Sequence, residues 1–207
     1  MSKRLFDCAC AGLGLMLLSP IFLVVALAVR LDSPGPVFFR QVRIGRQGKP
    51  FQIHKFRTMK VEQDRAASQI TIGRDPRITR VGHILRKTKL DELPQLIDVI
   101  AGSMSLVGPR PEVPQYVDHY PDDLRRIVLS VRPGITDQTS LKFIDEADLL
   151  AVADDPEEMY INRILPIKLR YHAEYVCNRT MMGDFGIIIS TIFSMFRTGS
   201  VSVQLDK

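Results

Sequence analysis

Cysteine is scarce here, and the few residues that could bind metal are scattered. Cys8, Cys10 and Cys177 are the three cysteines, and two of them lie inside an apolar run. Their spacing offers no disulfide framework and no zinc pattern, which favours a reducing compartment. The four histidines, His54, His83, His119 and His172, fall far apart and read as surface or packing residues. A P-loop is missing: Gly48-Lys49 runs into proline, and the upstream glycine spacing is wrong. Gly12-Leu-Gly14 leads to no dinucleotide pattern. There is no internal repeat and no low-complexity segment.

What remains is an ordinary, foldable composition. At 207 residues the chain can bury a real core, as one soluble domain plus an appendage. Charged residues make up 25% and hydrophobic ones 45%, which argues against disorder. A formal charge of +5 and a pI near 9.2 point to anionic partners: phosphates, acidic lipid or nucleic acid.

Residues 8–29 carry no charge, and Lys3, Arg4, Asp7, Arg30 and Asp32 flank them. About 20 apolar helical residues suffice to cross a bilayer. A cleaved signal peptide would explain Lys3-Arg4 and the small residues Ala26 and Ala28, but Asp7 and Ser19-Pro20 fit it badly. A simple spanning helix fits the length. A helix that enters and leaves by one face fits too. Pro20 removes a backbone donor and favours a bend, and the Ser19 hydroxyl can satisfy the freed carbonyl. Positive charge at both ends suits two cytosolic ends. The residues alone leave spanning and re-entrant geometries open.

Asp32-Ser-Pro-Gly-Pro36 ends the helix. Residues 37–44 and 51–58 are rich in β-branched and aromatic side chains, with 45–50 between them, so a hairpin is expected. Every charge between Asp32 and Glu62 is positive: Arg40, Arg43, Arg46, Lys49, Lys55, Arg57 and Lys60. Singly these are solvated charges. As a block beside a membrane helix they suit headgroups or substrate phosphates, with Lys55 and Arg57 as the phosphate-contact candidates. Residues 61–71 are polar and read as a loop or mobile helix.

Apolar spacing from Ile78 to Leu85 predicts a helix over 78–89, and a second series runs from Leu90 to Ile100. Between them stands Arg86-Lys-Thr-Lys-Leu-Asp-Glu-Leu-Pro-Gln95. Pro94 suits a first helical turn, which places Asp91 and Glu92 near a helix start. An acidic pair there can simply cap the helix and meet its dipole. It can also meet a cation, a proton or a phosphate-bound metal.

Residues 116–131 read as one amphipathic helix, and 160–178 as another with a start or bend at Pro166. Residues 145–155 are acidic and read as a solvated face. Residues 184–196 are too short to span a bilayer, so core packing or an interfacial position is expected. Residues 199–207 read as a loose tail.

The ordered set of motifs is specific. Ser19-Pro20 and Asp32-Ser-Pro-Gly-Pro36-Val-Phe-Phe-Arg-Gln41 come first. Lys55-Phe-Arg-Thr-Met59, the Arg86–Gln95 stretch, Ser105-Leu-Val-Gly-Pro-Arg-Pro-Glu112 and Arg132-Pro-Gly-Ile-Thr136 follow. From about Lys3 to Phe196 the chain resembles the bacterial sugar transferases, the small monotopic polyprenyl-phosphate phosphoglycosyl transferases. The resemblance implies an α+β, mostly helical fold. Residues 1–31 would form a re-entrant membrane helix broken at Ser19-Pro20. Residues 32–207 would form a compact, membrane-associated cytosolic catalytic domain containing the hairpin.

It implies an enzyme at the cytoplasmic face of the bacterial inner membrane. Such an enzyme moves a sugar 1-phosphate from a UDP-sugar to polyprenol phosphate and releases UMP. The aspartate matching Asp91 would carry a covalent phosphosugar. Glu92 would assist a Mg²⁺ site with Asp91 or activate the incoming polyprenol phosphate. Arg86 and Arg110 would bind phosphate, Arg110 held between Pro109 and Pro111. In many relatives a glycine follows Pro-Gly-Ile-Thr, where Asp137 stands here, which leaves sugar specificity open. A homodimer is allowed.

Two other classes compete. A nucleic-acid-binding protein would use the basic hairpin, but that charge adjoins a lipid-embedded helix and would leave the acidic pair idle. A non-catalytic membrane adaptor would tolerate loss of Asp91.

Overall fold

The apolar run and its basic flanks form one helix, α1 (Ser2–Asp32). The computed structural model describes residues 2–61, 75–139, 150 and 153–196. The polar stretch at 62–71, Ser140, most of the acidic stretch at 145–152 and the tail at 199–207 lie outside the described residues. Within α1, Pro20 deprives the Met16 carbonyl of its backbone donor. The Ser19 hydroxyl donates to that carbonyl at 2.8 Å, as the sequence predicts, and the helix is continuous through this point.

One face of α1 is a wall of the core. Ala11 packs with Ile53, Leu96, Val99 and Met104. Two and a half turns beyond Pro20, Val29 and its neighbour Val25 pack with Phe56 and Leu85. The other face exposes Leu13, Met16, Leu17, Leu23, Val24 and Leu27.

Both ends of α1 are tied to the same body of protein. At the start, Lys3 Nζ donates to Asp184 at 2.5 Å. Arg4 donates to the Val99 carbonyl at 2.6 Å, and the Ser105 hydroxyl donates to Asp7 at 2.6 Å. At the finish, the buried Arg57 guanidinium donates to the Ser33 and Pro34 carbonyls, each at 2.7 Å. Asp32 accepts the Val81 amide at 2.9 Å.

The expected hairpin is present. β1 (Phe38–Ile44) and β2 (Pro50–Phe56) pair antiparallel, Phe38 opposite Phe56 and Ile44 opposite Pro50. α2 (Arg80–Thr88) starts at the Thr79 cap, whose side chain accepts from the Gly82 amide. α3 (Gln95–Ala101) ends at Gly102, with φ 92°. β3 (Ser105–Val107) then pairs in parallel with β4 (Gly134–Thr136). The sequence reading missed this pair, because three residues are too few for alternation to show.

Between β3 and β4 the single helix expected over 116–131 is instead two short ones, α4 (Pro114–Val117) and α5 (Asp122–Val128). Pro121 is the reason: its ring and missing N–H stop one helix, and it stands at the N-cap of the next. α6 begins as Pro156–Met159, widens through a π-helical stretch Tyr160–Ile164, and continues as Leu165–Asn178. The widening falls just before Pro166, which cannot donate to the helical ladder. Tyr116, Val117, Leu165 and Leu169 share a buried cluster there. α7 (Met181–Phe196) lies against β3 and β4, with Thr191 and Thr136 hydroxyls 2.6 Å apart. Its outer face exposes Met182, Phe185 and Phe193. The described residues are thus mostly helical, with two small two-stranded sheets.

Candidate active site

Asp91 and Glu92 lie on a 3₁₀ turn, Leu90–Glu92, between α2 and α3. Lys89 makes the corner. It takes a left-handed conformation, φ 55°, and its amide returns to the Arg86 carbonyl at 3.2 Å. This sharp reversal sets the acidic pair beside the last turn of α2, which carries Arg86. Pro94 stands at the N-cap of α3, so the pair precedes that helix by one turn.

Three elements deliver the cations. Lys55 comes from β2 and Arg86 from α2. Arg110 comes from the strap after β3, stiffened by Pro109 and Pro111. Two glycines allow that strap to close. The Gly108 amide donates to the Thr136 carbonyl at 3.1 Å, and the Gly134 amide to the Pro109 carbonyl at 3.0 Å. A Cβ on Gly134 would lie 2.1 Å from the Gly108 nitrogen, so no larger residue fits. Gly82 plays the same part for Arg86. A Cβ there would meet the Thr58 carbonyl oxygen at 2.1 Å, and this close approach lets Arg86 Nε donate to Thr58 Oγ1 at 2.9 Å.

The two carboxylates have different surroundings. Glu92 is clamped: Lys55 Nζ donates to Oε1 at 2.6 Å, and the Arg110 guanidinium forks over both oxygens. Burial alone would raise its pKa, but Arg110 and Lys55 outweigh burial and hold it well below the usual glutamate range. Asp91 is 9% exposed and, among the described residues, makes no side-chain hydrogen bond or ion pair. Burial raises its pKa, with the Glu92 charge adding. Lys55, Arg86 and Arg110 oppose without bonding it. A buried carboxylate near cations yet bonded to none keeps its lone pairs free, which is what a nucleophile or a metal ligand needs.

Arg57, expected to meet phosphate, has another place. Its guanidinium serves the carbonyls at the end of α1, and the structure does not bring it to the dyad. Ser19 and Pro20 sit in the middle of α1, away from the polar cluster.

Sequence reasoning missed the network behind the strap. Arg43 Nη1 donates to the Pro111 carbonyl at 3.1 Å and lies 3.7 Å from Glu112. The Tyr160 hydroxyl donates to Glu112 at 2.6 Å, and Lys168 Nζ stands 3.8 Å away. Glu112 immediately follows Arg110-Pro111, and that adjacency was the available signal.

Among the described residues no cluster of three or more His, Cys, Asp and Glu side chains could hold a metal. Mg²⁺, however, is commonly held by one or two carboxylates together with substrate phosphates. The unbonded Asp91 fits such a donor set. Glu92, already neutralised by two cations, fits it less well.

Among the described residues, one long apolar helix and an acidic pair under a proline-flanked arginine together delimit a class. The chain belongs to the bacterial sugar transferase family, which it matches over residues 1–198. It is 40% identical over 198 residues to the UDP-glucose:undecaprenyl-phosphate glucose-1-phosphate transferase of Escherichia coli (strain K12), covering 94% of this chain and 40% of that protein. A protein of the same description from Caulobacter vibrioides is 37% identical over 202 residues, 96% of this chain and 71% of the relative. The exopolysaccharide production protein PSS of Rhizobium leguminosarum bv. phaseoli is 36% identical over 212 residues, 95% and 96% of the two chains. The chain therefore spans well under half of some curated relatives and nearly all of others.

Proposed function

We propose that this chain is a membrane-bound phosphoglycosyl transferase. It moves a sugar 1-phosphate from a UDP-sugar to polyprenol phosphate and forms a covalent phosphosugar on Asp91. The unbonded state of Asp91 beside a fully clamped Glu92 carries this reading. An Asp91 carboxylate oxygen attacks the phosphorus that bears the sugar. The bond from that phosphorus to the bridging oxygen breaks, and UMP leaves with the electron pair. A polyprenol phosphate oxygen then attacks the same phosphorus and displaces the Asp91 carboxylate. Splitting one transfer in two is what a carboxylate nucleophile offers.

Phosphoryl transfer depends mainly on positioning and charge stabilisation. Arg86 faces Asp91 from α2. Arg110 and Lys55, held by Glu92, present fixed positive charge to the diphosphate. Glu92 acts chiefly by keeping both cations in place. Mg²⁺, met by Asp91 and to a lesser degree Glu92 together with the diphosphate, would neutralise charge on the leaving phosphate.

The packing of α1 supports a re-entrant rather than a spanning course. A helix of 31 residues is about 46 Å long, more than the hydrocarbon thickness. Yet its first and last turns are both bonded to polar groups of one body, which favours both ends at one membrane face. The exposed apolar sides of α1 and α7 would then meet lipid, with the rest of the chain as a catalytic domain at the cytoplasmic face of the inner membrane.

The test is trapping. With a UDP-sugar labelled in the sugar, Asp91→Asn should lose the protein-bound label and at least about 10⁴-fold of UMP release. Its membrane association should be retained. Full turnover by that variant would remove the nucleophile assignment.

A further inference from the structure

A cavity lies away from the dyad, at the other end of the parallel β3–β4 pair. It encloses about 380 Å³ between the start of α1, the hairpin turn and the start of α7. Its wall is rich in cations: Lys3, Arg4, Arg46, Arg132 and Arg179. The two acids present are already engaged. Asp184 accepts from Lys3 at 2.5 Å and from the Tyr175 hydroxyl at 2.7 Å. Asp7 accepts the Ser105 hydroxyl at 2.6 Å, with Lys3 at 3.6 Å. Lys3 thus serves as their counter-ion, and Arg4 is spent on the carbonyls ending α3.

Three arginines are left over. Arg46 uses only Nε, on the Ser130 carbonyl at 3.1 Å. Arg132 uses only Nε, on the Gly102 carbonyl at 2.7 Å. Arg179 has no side-chain hydrogen bond or ion pair among the described residues. No described carboxylate lies within 4.0 Å of any of the three. Several guanidinium groups converging on one concavity without a counter-ion repel one another and invite an anion.

The position of the cavity indicates the kind of anion. The two elements that open it, α1 and α7, are the two that expose long apolar faces. Met181 lines the cavity and is itself exposed. A ligand with its phosphate among the arginines would have its remaining bulk directed along apolar helices. A soluble phosphate would have no use for those faces.

We propose that this cavity seats the phosphate-bearing headgroup of an anionic membrane lipid, fixing the depth and tilt of the chain against the bilayer. The proposal rests on the membrane placement given above but not on the transfer chemistry. Basic pockets beside membrane helices select anionic headgroups by this physics.

The full chain in neutral detergent provides the test, with thermal unfolding followed by far-UV circular dichroism. Short-chain phosphatidylglycerol should raise the midpoint by about 5 °C at saturation. Short-chain phosphatidylcholine and inorganic phosphate should leave it in place. The double variant Arg46→Gln/Arg179→Gln changes two exposed side chains and should fold. It should lose most of the phosphatidylglycerol shift, while Arg46→Lys/Arg179→Lys should keep most of it. An equal shift with phosphatidylcholine, an undiminished shift in the glutamine variant, or no shift at all would overturn the proposal. An equal shift with inorganic phosphate would overturn the lipid assignment in favour of a free anion. Loss of UMP release with the lipid shift intact would count against the transferase reading alone.

Discussion

Two glutamates, Glu112 buried and Glu92 half-buried, flank the Arg110-Pro111 strap, and each lies among two cations. Glu92 meets Lys55 and Arg110; Glu112 meets Arg43 and Lys168. The Glu112 cluster is closed. Tyr160 donates to its carboxylate, and Arg43 also bonds the strap at Pro111. The Glu92 cluster is open on one side, where Asp91 stands unbonded within reach of the same positive field. The same three charges thus serve two ends. Where every lone pair and proton is matched, the network holds backbone in place. Where one carboxylate is surplus, the network can act on a substrate.

Swapping the glutamates is the sharpest way to break this contrast. Glu112→Gln leaves Arg43 and Lys168 facing an uncharged amide in a dry site and should cost about 3–5 kcal/mol of stability. Glu92→Gln should cost far less stability, because Lys55 and Arg110 can turn to Asp91. It should instead lower UMP release by about 10²-fold, since the cations would then neutralise the nucleophile. Denaturant melts and turnover measured on both variants decide it. Equal stability losses would show that the two clusters do not differ in kind.

The second effect is on pH. Burial raises the Asp91 pKa, so this carboxyl keeps its proton at pH values where an ordinary aspartate has lost it. The acid limb of the turnover profile should therefore lie above the usual aspartate range, activity falling as pH drops through it. Glu92, held well below its usual value, adds no limb there. For stability the sign is opposite at Asp91. Its ionised form is disfavoured in the folded chain, so its cost is present above the raised pKa and is relieved as pH falls. A pH–rate profile whose acid limb matches free aspartate would contradict the buried, unbonded state.

The smallest expected effect is at Tyr160. Tyr160→Phe removes one donor to Glu112 and keeps the ring against Tyr116, 4.9 Å between centroids. It should cost about 1.5–3 kcal/mol by denaturant unfolding, with turnover little changed. A large loss of turnover with no loss of stability would move Tyr160 into the site proper.

Much of this was legible in the chain itself. The hairpin followed from two β-rich stretches around a glycine-bounded turn. The Ser19 bond to Met16 followed from what a proline removes. Asp91, Glu92, Arg86, Arg110 and Lys55 do converge, although they come from β2, α2, a 3₁₀ turn and a strap. Arg57 did not follow. Buried and exposed arginines look alike in a sequence, and only the folded chain shows that the end of α1 has carbonyls to satisfy. The break at Pro121 was readable and was overridden by apolar spacing on either side. The parallel β3–β4 pair left no periodic trace, and with it went the support of Arg110 by Gly108 and Gly134.

Asp32 is the last residue of one helix and the partner of the Val81 amide at the start of another. Trimming the first 32 residues to obtain a soluble fragment would therefore not leave the rest of the fold intact. It would leave the Val81 amide without its acceptor and uncover Leu85, Val99 and Met104. It would also take from the Arg57 guanidinium the Val29 carbonyl, which lies 3.4 Å away. Anyone preparing this protein should keep the greasy segment and find it a detergent.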